Sequence, residues 1–275
     1  MTKLIALDLD GTTLNAQGEL SPLTIQTLQT LQKLGHKVII TTGRPDNISV
    51  NFYDELHLNT PMINFDGALV HIPHQNWQMA QELNLPDTIL DDILTLKNQY
   101  PTNLIVAEGK SFLLSDRPFT DVPYLPDNPH PQQLLSAETL PRKPISMTIF
   151  APKNVLGTLN TIIKAKYPQL LLNSWGSWVD KAIEIATQGA YKSRAVRYVA
   201  DYYHLSLNDV LAFGDDENDL DMLAAAGLGV AMKNGSDRAK AAANTQTAFT
   251  NDEDGVARFL IDYFKLNNSI STVKG

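Results

Sequence analysis

The sequence predicts an α/β fold: a parallel sheet flanked by helices, interrupted by a second unit of mixed α+β character. Three observations predict it. Short apolar runs alternate with amphipathic stretches of helical period at both ends of the chain, the pattern of parallel strands joined by helical crossovers. That rhythm breaks near residue 82 and returns near residue 186, so 1–81 and 186–275 form one discontinuous domain and 82–185 is inserted into it. The composition is that of a folded globule: of 275 residues, 43% are hydrophobic and 19% charged. A chain of this length buries about three quarters of its unfolded surface, enough to fold without a disulfide or a structural metal.

Taken in order, Leu4 to Leu7 is a buried strand that ends in Asp8-Leu9-Asp10-Gly11-Thr12, a sharp exit loop. Ser21-Pro22 starts a helix, with Ser as N-cap and Pro in the first turn. Its apolar stripe is Ile25, Leu28, Leu31 and Leu34, and Gly35 stops it. Val38 to Ile40 is a second buried strand running into Thr41-Thr42-Gly43-Arg44-Pro45. Met62 to Phe65 is a third, closed by Asp66-Gly67.

Within the inserted segment, residues 87–99 have helical period, with Ile89, Leu90, Ile93, Leu94 and Leu96 apolar. Residues 103–107 and 111–115 flank Glu108-Gly109-Lys110 as a hairpin. Seven of the fifteen prolines fall between 116 and 144, which marks an irregular connection. A strand over 145–150, a helix over 153–167 and a second hairpin around Gly176 (170–173 and 178–185) complete the unit. The α/β rhythm then resumes. A helix covers 192–203, and the strand 210–213 ends in Gly214-Asp215. A helix covers 219–226 and a strand 229–232. Ser236-Asp237 caps an Ala-rich helix, and a last helix covers 254–265, followed by a polar tail from Asn267.

Composition excludes several function classes. With no cysteine, thiol catalysis, Cys-ligated zinc, iron–sulfur clusters and disulfides are ruled out. A net charge of −8, a pI of about 5.2 and no Lys/Arg run speak against nucleic acid as the main partner. No apolar stretch reaches the ~18 residues of a spanning helix, and the first strand turns acidic at Asp8, unlike a signal peptide. The expectation is a cytoplasmic protein with no membrane or nucleic-acid partner. His71, His74 and His130 sit in loop-like stretches without zinc spacing and are expected to be solvated.

In an open parallel sheet, ligands bind beyond the carboxyl ends of the strands. Four signals are expected at that end: Asp8-x-Asp10-Gly11-Thr12, Thr41-Thr42-Gly43-Arg44, Lys192, and Gly214-Asp215-Asp216-Glu217-Asn218-Asp219. Each alone has an ordinary explanation as a turn, a strand exit, a solvated lysine or an acidic helix start. A calcium loop would use Asp8, Asp10 and Glu19, but Thr13 stands where that loop needs Gly and a strand precedes it. Dinucleotide binding lacks its Gly-x-Gly-x-x-Gly. Together the four are harder to dismiss. Acidic strand ends placed side by side need a cation or protons, and oxygen-only ligands suit Mg²⁺ beside a substrate phosphate. With a hydroxyl, an ammonium and an arginine on the same face, the set fits phosphoryl transfer through a carboxylate nucleophile.

On these four motifs in this order the chain resembles the haloacid dehalogenase (HAD) superfamily, and within it the Cof-like phosphatases with a large inserted α/β cap (type IIB). The resemblance covers almost the whole length, including the size and place of the insertion. It implies a Rossmann-like parallel-sheet core, a cap that closes over the site, and a Mg²⁺-dependent phosphatase of small phosphate monoesters such as sugar phosphates. It also implies residue roles. Asp8 is the nucleophile that forms an aspartyl-phosphate. Asp10 is the general acid and base, a group that a pure dehalogenase lacks. Thr42 and Lys192 hold phosphoryl oxygens, together with Gly43, Arg44 and Asn218, and Arg44 either orients Asp10 or binds phosphate. Mg²⁺ is held by Asp8, the Asp10 backbone carbonyl and Asp215, with Asp219 behind them near Lys192.

The sequence departs from the family pattern at Asp66-Gly67, where Asn-Gly is common, and at Ser193, where Gly is common. Asp66 adds a negative charge near the cleft. Trp175, Trp178, Asp180 and Lys181 are candidate cap contacts, packing or surface being the ordinary explanation for each. Two other readings remain at this level. One is a phosphotransferase or mutase working through the same intermediate. The other is a non-catalytic regulator that binds a phosphorylated metabolite, against which the intact set of five polar groups (Asp8, Asp10, Thr42, Lys192, Asp215) speaks.

Overall fold

The computed structural model describes residues 1–120, 125, 133–176 and 181–266, and the chain divides into two compact units. Unit 1 comprises Met1–Arg44, Ser49–Gln81 and the chain from Tyr191 onward; unit 2 comprises Pro45–Ile48 and Glu82–Ala190.

Unit 1 is built on a five-stranded parallel sheet. Its strands are β1 (Leu4–Leu7), β2 (Lys37–Ile40), β11 (Val210–Gly214), β12 (Leu228–Ala231) and β13 (Thr245–Gln246), in the order β13-β12-β11-β1-β2. A parallel bridge from Thr41 to Ile63 carries the pairing on to β3 (Met62–Asn64), which turns back antiparallel into β4 (Leu69–His71). A two-residue strand β5 (Gln81–Glu82) follows where the chain passes from unit 1 to unit 2. The central strands are apolar on both sides, as a doubly covered parallel sheet requires. Ile5, Leu7, Val38, Ile40, Leu211 and Phe213 pack on one face against helices α1 (Pro22–Lys33), α2 (Val50–Glu55) and α8 (Gly255–Phe264). The alternate residues Leu4, Ala6, Ile39, Val210 and Ala212 pack on the other against α5 (Lys192–Tyr202) and α6 (Leu220–Ala225). Helix α7 (Asp237–Ala242) covers Leu223 and Ala231 through Ala239.

Local chemistry sets the helix ends. The Ser21 hydroxyl accepts the Thr24 N–H at 3.0 Å, Pro22 opens α1, and Gly35 (φ +90°) releases the chain beyond it. Ser236 caps α7 by accepting the Ala239 N–H at 3.2 Å.

Unit 2 is an antiparallel sheet of β6 (Leu104–Gly109), β7 (Phe112–Ser115), β8 (Ser146–Ala151), β9 (Leu170–Gly176) and β10 (Lys181–Thr187), in the order β7-β6-β8-β10-β9. Helices α3 (Ile89–Gln99) and α4 (Lys153–Lys166) cover the face made by Ile105, Ala107, Met147, Ile149, Ile183 and Ile185. Segregation of helices to one face is the α+β arrangement. The alternate residues lie on the opposite face: apolar Leu104, Val106, Phe150 and Ala182, with Glu108, Thr148 and Glu184 among them. Asp46 belongs to this unit, accepting the Ser111 N–H at 3.1 and 3.0 Å.

The strands and helices read from the sequence form within one to three residues of their expected ends, with four differences. β10 runs on to Thr187, two residues past the expected end of the insertion, and Pro45–Ile48 joins unit 2. Gly176 closes β9 and is not the turn itself. α2, β4, β5 and β13 have no counterpart in the sequence reading; each is six residues or fewer, too short to show a period. His71 is buried, its Nε2 3.1 Å from the Asn64 Oδ1, and not solvated. His74 is exposed and pairs with Asp54. The expectations for His130, Trp178, Asp180, the proline-rich connection between 121 and 132 and the tail from Asn267 fall outside the described residues. No described helix is long and apolar enough to cross a membrane.

Candidate active site at the carboxyl ends of the unit 1 strands

Parallel register assembles the motifs. Leu7 lies opposite Phe213 and Ile40, so the residues that follow β1, β2 and β11 emerge in one row. Asp8 N–H donates to the Phe213 carbonyl at 3.1 Å, and Thr41 N–H donates to the Leu7 carbonyl at 2.8 Å. Asp8 is thereby buried at the strand tip. The chain then makes a tight excursion over Leu9–Thr13, in which Gly11 has φ +68°. A Cβ on Gly11 would lie 2.3 Å from the Asp215 Oδ2, so both the backbone angle and the space demand glycine there.

Lys192 comes from the start of α5 and is fully buried. Its ammonium donates to the Asp8 Oδ1 and the Asp219 Oδ1, each at 2.7 Å, and lies 3.8 Å from the Asp66 Oδ1. The other oxygen of Asp219 accepts the Asp215 N–H at 2.8 Å. Asp215 accepts the Thr12 hydroxyl at 2.9 Å on Oδ1. One oxygen each of Asp8, Asp215 and Asp219 lies within 4.8 Å of the others. Among the described residues, Asp8 Oδ2 and Asp215 Oδ2 have no hydrogen-bond partner, whereas both oxygens of Asp219 are engaged.

The electrostatics follow from this crowding. Burial, then the neighbouring Asp219, pushes the Asp8 carboxyl well above the usual carboxylate range. Burial pushes Asp215 up to about 6, Thr12 pulling the other way. Burial alone would depress Lys192, but Asp8, Asp219 and Asp66 outweigh it and hold the ammonium charged. One cation among so many carboxylates leaves the site short of positive charge. Oxygen donors only, two of them unengaged, fit a hard divalent ion such as Mg²⁺.

The remaining sequence candidates lie in the same unit. Arg44 grips Asp10 through two bonds, Nε at 2.7 Å and an Nη at 2.5 Å, and stacks over Phe52 with 5.4 Å between guanidinium and ring centre. That pairing raises the Arg44 guanidinium further, against burial, which pulls the other way. The Asp10 side chain is 63% exposed and points at Arg44; it is not in the carboxylate cluster. Thr42 is buried; its hydroxyl accepts the Arg44 N–H at 3.1 Å. Gly43 lets the Asp66 carboxylate approach, since a Cβ there would lie 3.1 Å from Asp66 Oδ1. Asn218 donates to Asp66 Oδ1 at 2.9 Å, so its amide is engaged with a carboxylate.

The family model for haloacid dehalogenase-like hydrolases matches residues 5–260, nearly the whole chain. The chain belongs to that family. Within these hydrolases it stands with the Cof-like phosphatases, enzymes that hydrolyse phosphoric monoesters. It is 34% identical to the 5-amino-6-(5-phospho-D-ribitylamino)uracil phosphatase YitU of Bacillus subtilis, over 96% of this chain and 98% of that one. It is 30% identical to the pyridoxal phosphate phosphatase YbhA of Escherichia coli, over 95% and 98%. Among solved structures, a haloacid dehalogenase-like hydrolase from Bacteroides thetaiotaomicron superposes with a TM-score of 0.80 at 25% identity, covering 96% of this chain and all of that one.

Two residues of this site have no role in the sequence reading. Asn64 fastens the Thr42–Arg44 loop, donating to the Arg44 carbonyl at 3.0 Å and to the Ser49 hydroxyl at 2.7 Å. Thr12 holds Asp215. Thr12 is a motif position whose hydroxyl was a visible signal; Asn64 is an asparagine ending a strand, with nothing in the letters to mark it.

Proposed function

We propose that the chain is a Mg²⁺-dependent phosphatase of small phosphorylated metabolites that works through an aspartyl-phosphate on Asp8. The observation that carries this is the buried Lys192 ammonium bridging Asp8 and Asp219 beside Asp215. A buried acid held by a cation on one oxygen and without a partner on the other is suited to attack phosphorus. The reading takes residues 1–81 and 186–275 as the hydrolase core and 82–185 as its cap.

Asp8, Asp215 and the Asp10 backbone carbonyl are the groups that would hold Mg²⁺, which when bound supplies charge for the phosphoryl oxygens. A carboxylate oxygen of Asp8 bonds to phosphorus as the ester P–O bond breaks. Asp10, once released from Arg44 and having taken up a proton from solvent, gives that proton to the leaving oxygen. Asp10 then takes a proton from water, whose oxygen attacks the same phosphorus. The P–O bond to Asp8 breaks, and orthophosphate and the free Asp8 carboxylate result. Lys192 and the Thr42 hydroxyl hold phosphoryl oxygens throughout, with Gly43, Arg44 and Asn218 around them and Asp219 fixing Lys192.

The relatives suggest the substrates to try: phosphate esters of sugar alcohols and of small heterocycles. The test is phosphate release from a panel that includes 5-amino-6-(5-phospho-D-ribitylamino)uracil, pyridoxal phosphate and hexose phosphates, with Mg²⁺ and with excess chelator. Turnover that stops in chelator and returns with Mg²⁺ is expected. Release undiminished by chelation removes the metal, and no release from any ester removes the phosphatase.

A further inference from the structure

Asp66 stands beside Lys192, and the mechanism has no use for it. It lies in the turn Phe65–Gly67, where three successive residues have positive φ, at +50°, +51° and +102°. Non-glycine residues in that conformation are costly, and such strain concentrates at functional positions. The turn is laced to the phosphoryl-binding loop: Asp66 N–H donates to the Thr42 carbonyl at 3.1 Å and Phe65 N–H to the Arg44 carbonyl at 3.3 Å. The strain therefore places a carboxylate beside Thr42, Gly43 and Lys192. Its side chain is 42% exposed, its Oδ1 is steadied by Asn218, and its Oδ2 has no hydrogen-bond partner among the described residues.

An ammonium has three N–H donors. Two of those on Lys192 are spent on Asp8 and Asp219 at 2.7 Å. One is left for a phosphoryl oxygen, and Asp66 Oδ1 stands 3.8 Å away: beyond a hydrogen bond, within ion-pair range. We infer that Asp66 competes with the phosphoryl group for the third N–H of Lys192, holding phosphate affinity down so that the product leaves. The inference rests on the phosphatase reading and deepens it. Asp66 is a tuning residue that contacts Lys192, and no bond to substrate is assigned to it. A site with an amide at this position would bind both ester and orthophosphate more tightly and turn over against stronger product inhibition.

Two variants separate charge from geometry. Asp66→Asn keeps the acceptor for Asn218 and tolerates positive φ; Asp66→Gly loses the side chain and relieves the strain. Both remove the charge. Orthophosphate binding is measured by calorimetry in Mg²⁺ buffer, beside KM, kcat and product inhibition on the best ester, with circular dichroism to confirm folding. Both variants are expected to bind orthophosphate about tenfold more tightly, one factor of ten being about 1.4 kcal/mol, with KM and the inhibition constant falling together. A wild-type protein that hydrolyses esters while both folded variants bind phosphate no more tightly overturns the inference and leaves the phosphatase standing. A lower kcat with unchanged phosphate affinity also overturns it, making Asp66 a support for Lys192. Neither hydrolysis nor phosphate binding in any of the three proteins overturns both readings.

Discussion

Glu108 of β6 offers a test whose size can be worked out from the structure. The residue is buried, and its Oε1 has no hydrogen-bond partner among the described residues. Burial first, then Glu184 on β10 and Asp46 of the Pro45–Ile48 segment, push its carboxyl from the usual 4.5 up to about 8. In the unfolded chain it returns to about 4.5. Between those two values the native state binds the extra proton, so stability falls as pH rises from about 4.5 to about 8, by about 1.4 kcal/mol per pH unit. Below that window both states are protonated and above it both are ionised, so the slope vanishes. By pH 7 the accumulated loss is about 3 kcal/mol, a large share of the stability of an ordinary domain. Glu108→Gln removes the titration and keeps the shape. The assay is urea denaturation of both proteins at pH 5, 6, 7 and 8. The variant is expected to gain on the wild type with each step, by about 3 kcal/mol in all between pH 5 and pH 7–8. Asp46, whose carboxyl burial also raises, is present in both proteins and largely cancels in the difference. A stability difference that stays constant across pH refutes the reasoning, because a packing defect would move every point equally.

Other outcomes bear on the site. Asp8→Asn is expected to abolish phosphate release while leaving the circular dichroism spectrum intact, since the amide is nearly isosteric but no nucleophile; normal turnover would take Asp8 out of the chemistry. Asp10→Asn is expected to lower kcat by about 10²–10⁴-fold, the range for a general acid and base; an unchanged kcat would reassign the proton transfer. Gly11→Ala puts a Cβ where only 2.3 Å separates it from Asp215 Oδ2, at φ +68°. It is expected to cost about 1 kcal/mol in backbone strain and to weaken Mg²⁺ binding in a calorimetric titration; unchanged Mg²⁺ affinity would mean that Asp215 is not a ligand.

What could be read from the letters depended on how far apart the interacting residues lie in the chain. β1, β2 and β11 announce themselves by runs of apolar residues, and α1 by Ser21, Pro22 and Gly35, because each signal acts within a few residues. The strand-end motifs were legible for the same reason: Asp8, Thr42 and Asp215 stand directly after the strands that carry them. Lys192 had no such address. Its place beside Asp8, 184 residues away, is set by α5 packing on the sheet and by Gly67, where a Cβ would lie 2.5 Å from the Tyr191 carbonyl. The letters offer that lysine as one of four signals, with a solvated helix residue as its ordinary explanation, and the family resemblance gives it its role. Asn218, which the resemblance names for phosphate, donates to Asp66, 152 residues off, a contact that no local signal marks.

The same distinction explains the surplus of negative charge. Each acidic residue of the site is locally ordinary: Asp8 ends a strand, Asp66 occupies a turn, and Asp219 takes up the N–H groups of Asp215 and Asp216 at 2.8 and 3.3 Å. Folding buries them around one ammonium, and burial first, then the neighbouring Asp219, raises the carboxyls of Asp8, Asp66 and Asp215. A fold that gathers like charges spends stability that better-paired groups would have kept. The arrangement makes sense if a divalent cation and a phosphoryl group take their places among those charges, and Asp66 then governs how firmly the second of them is held.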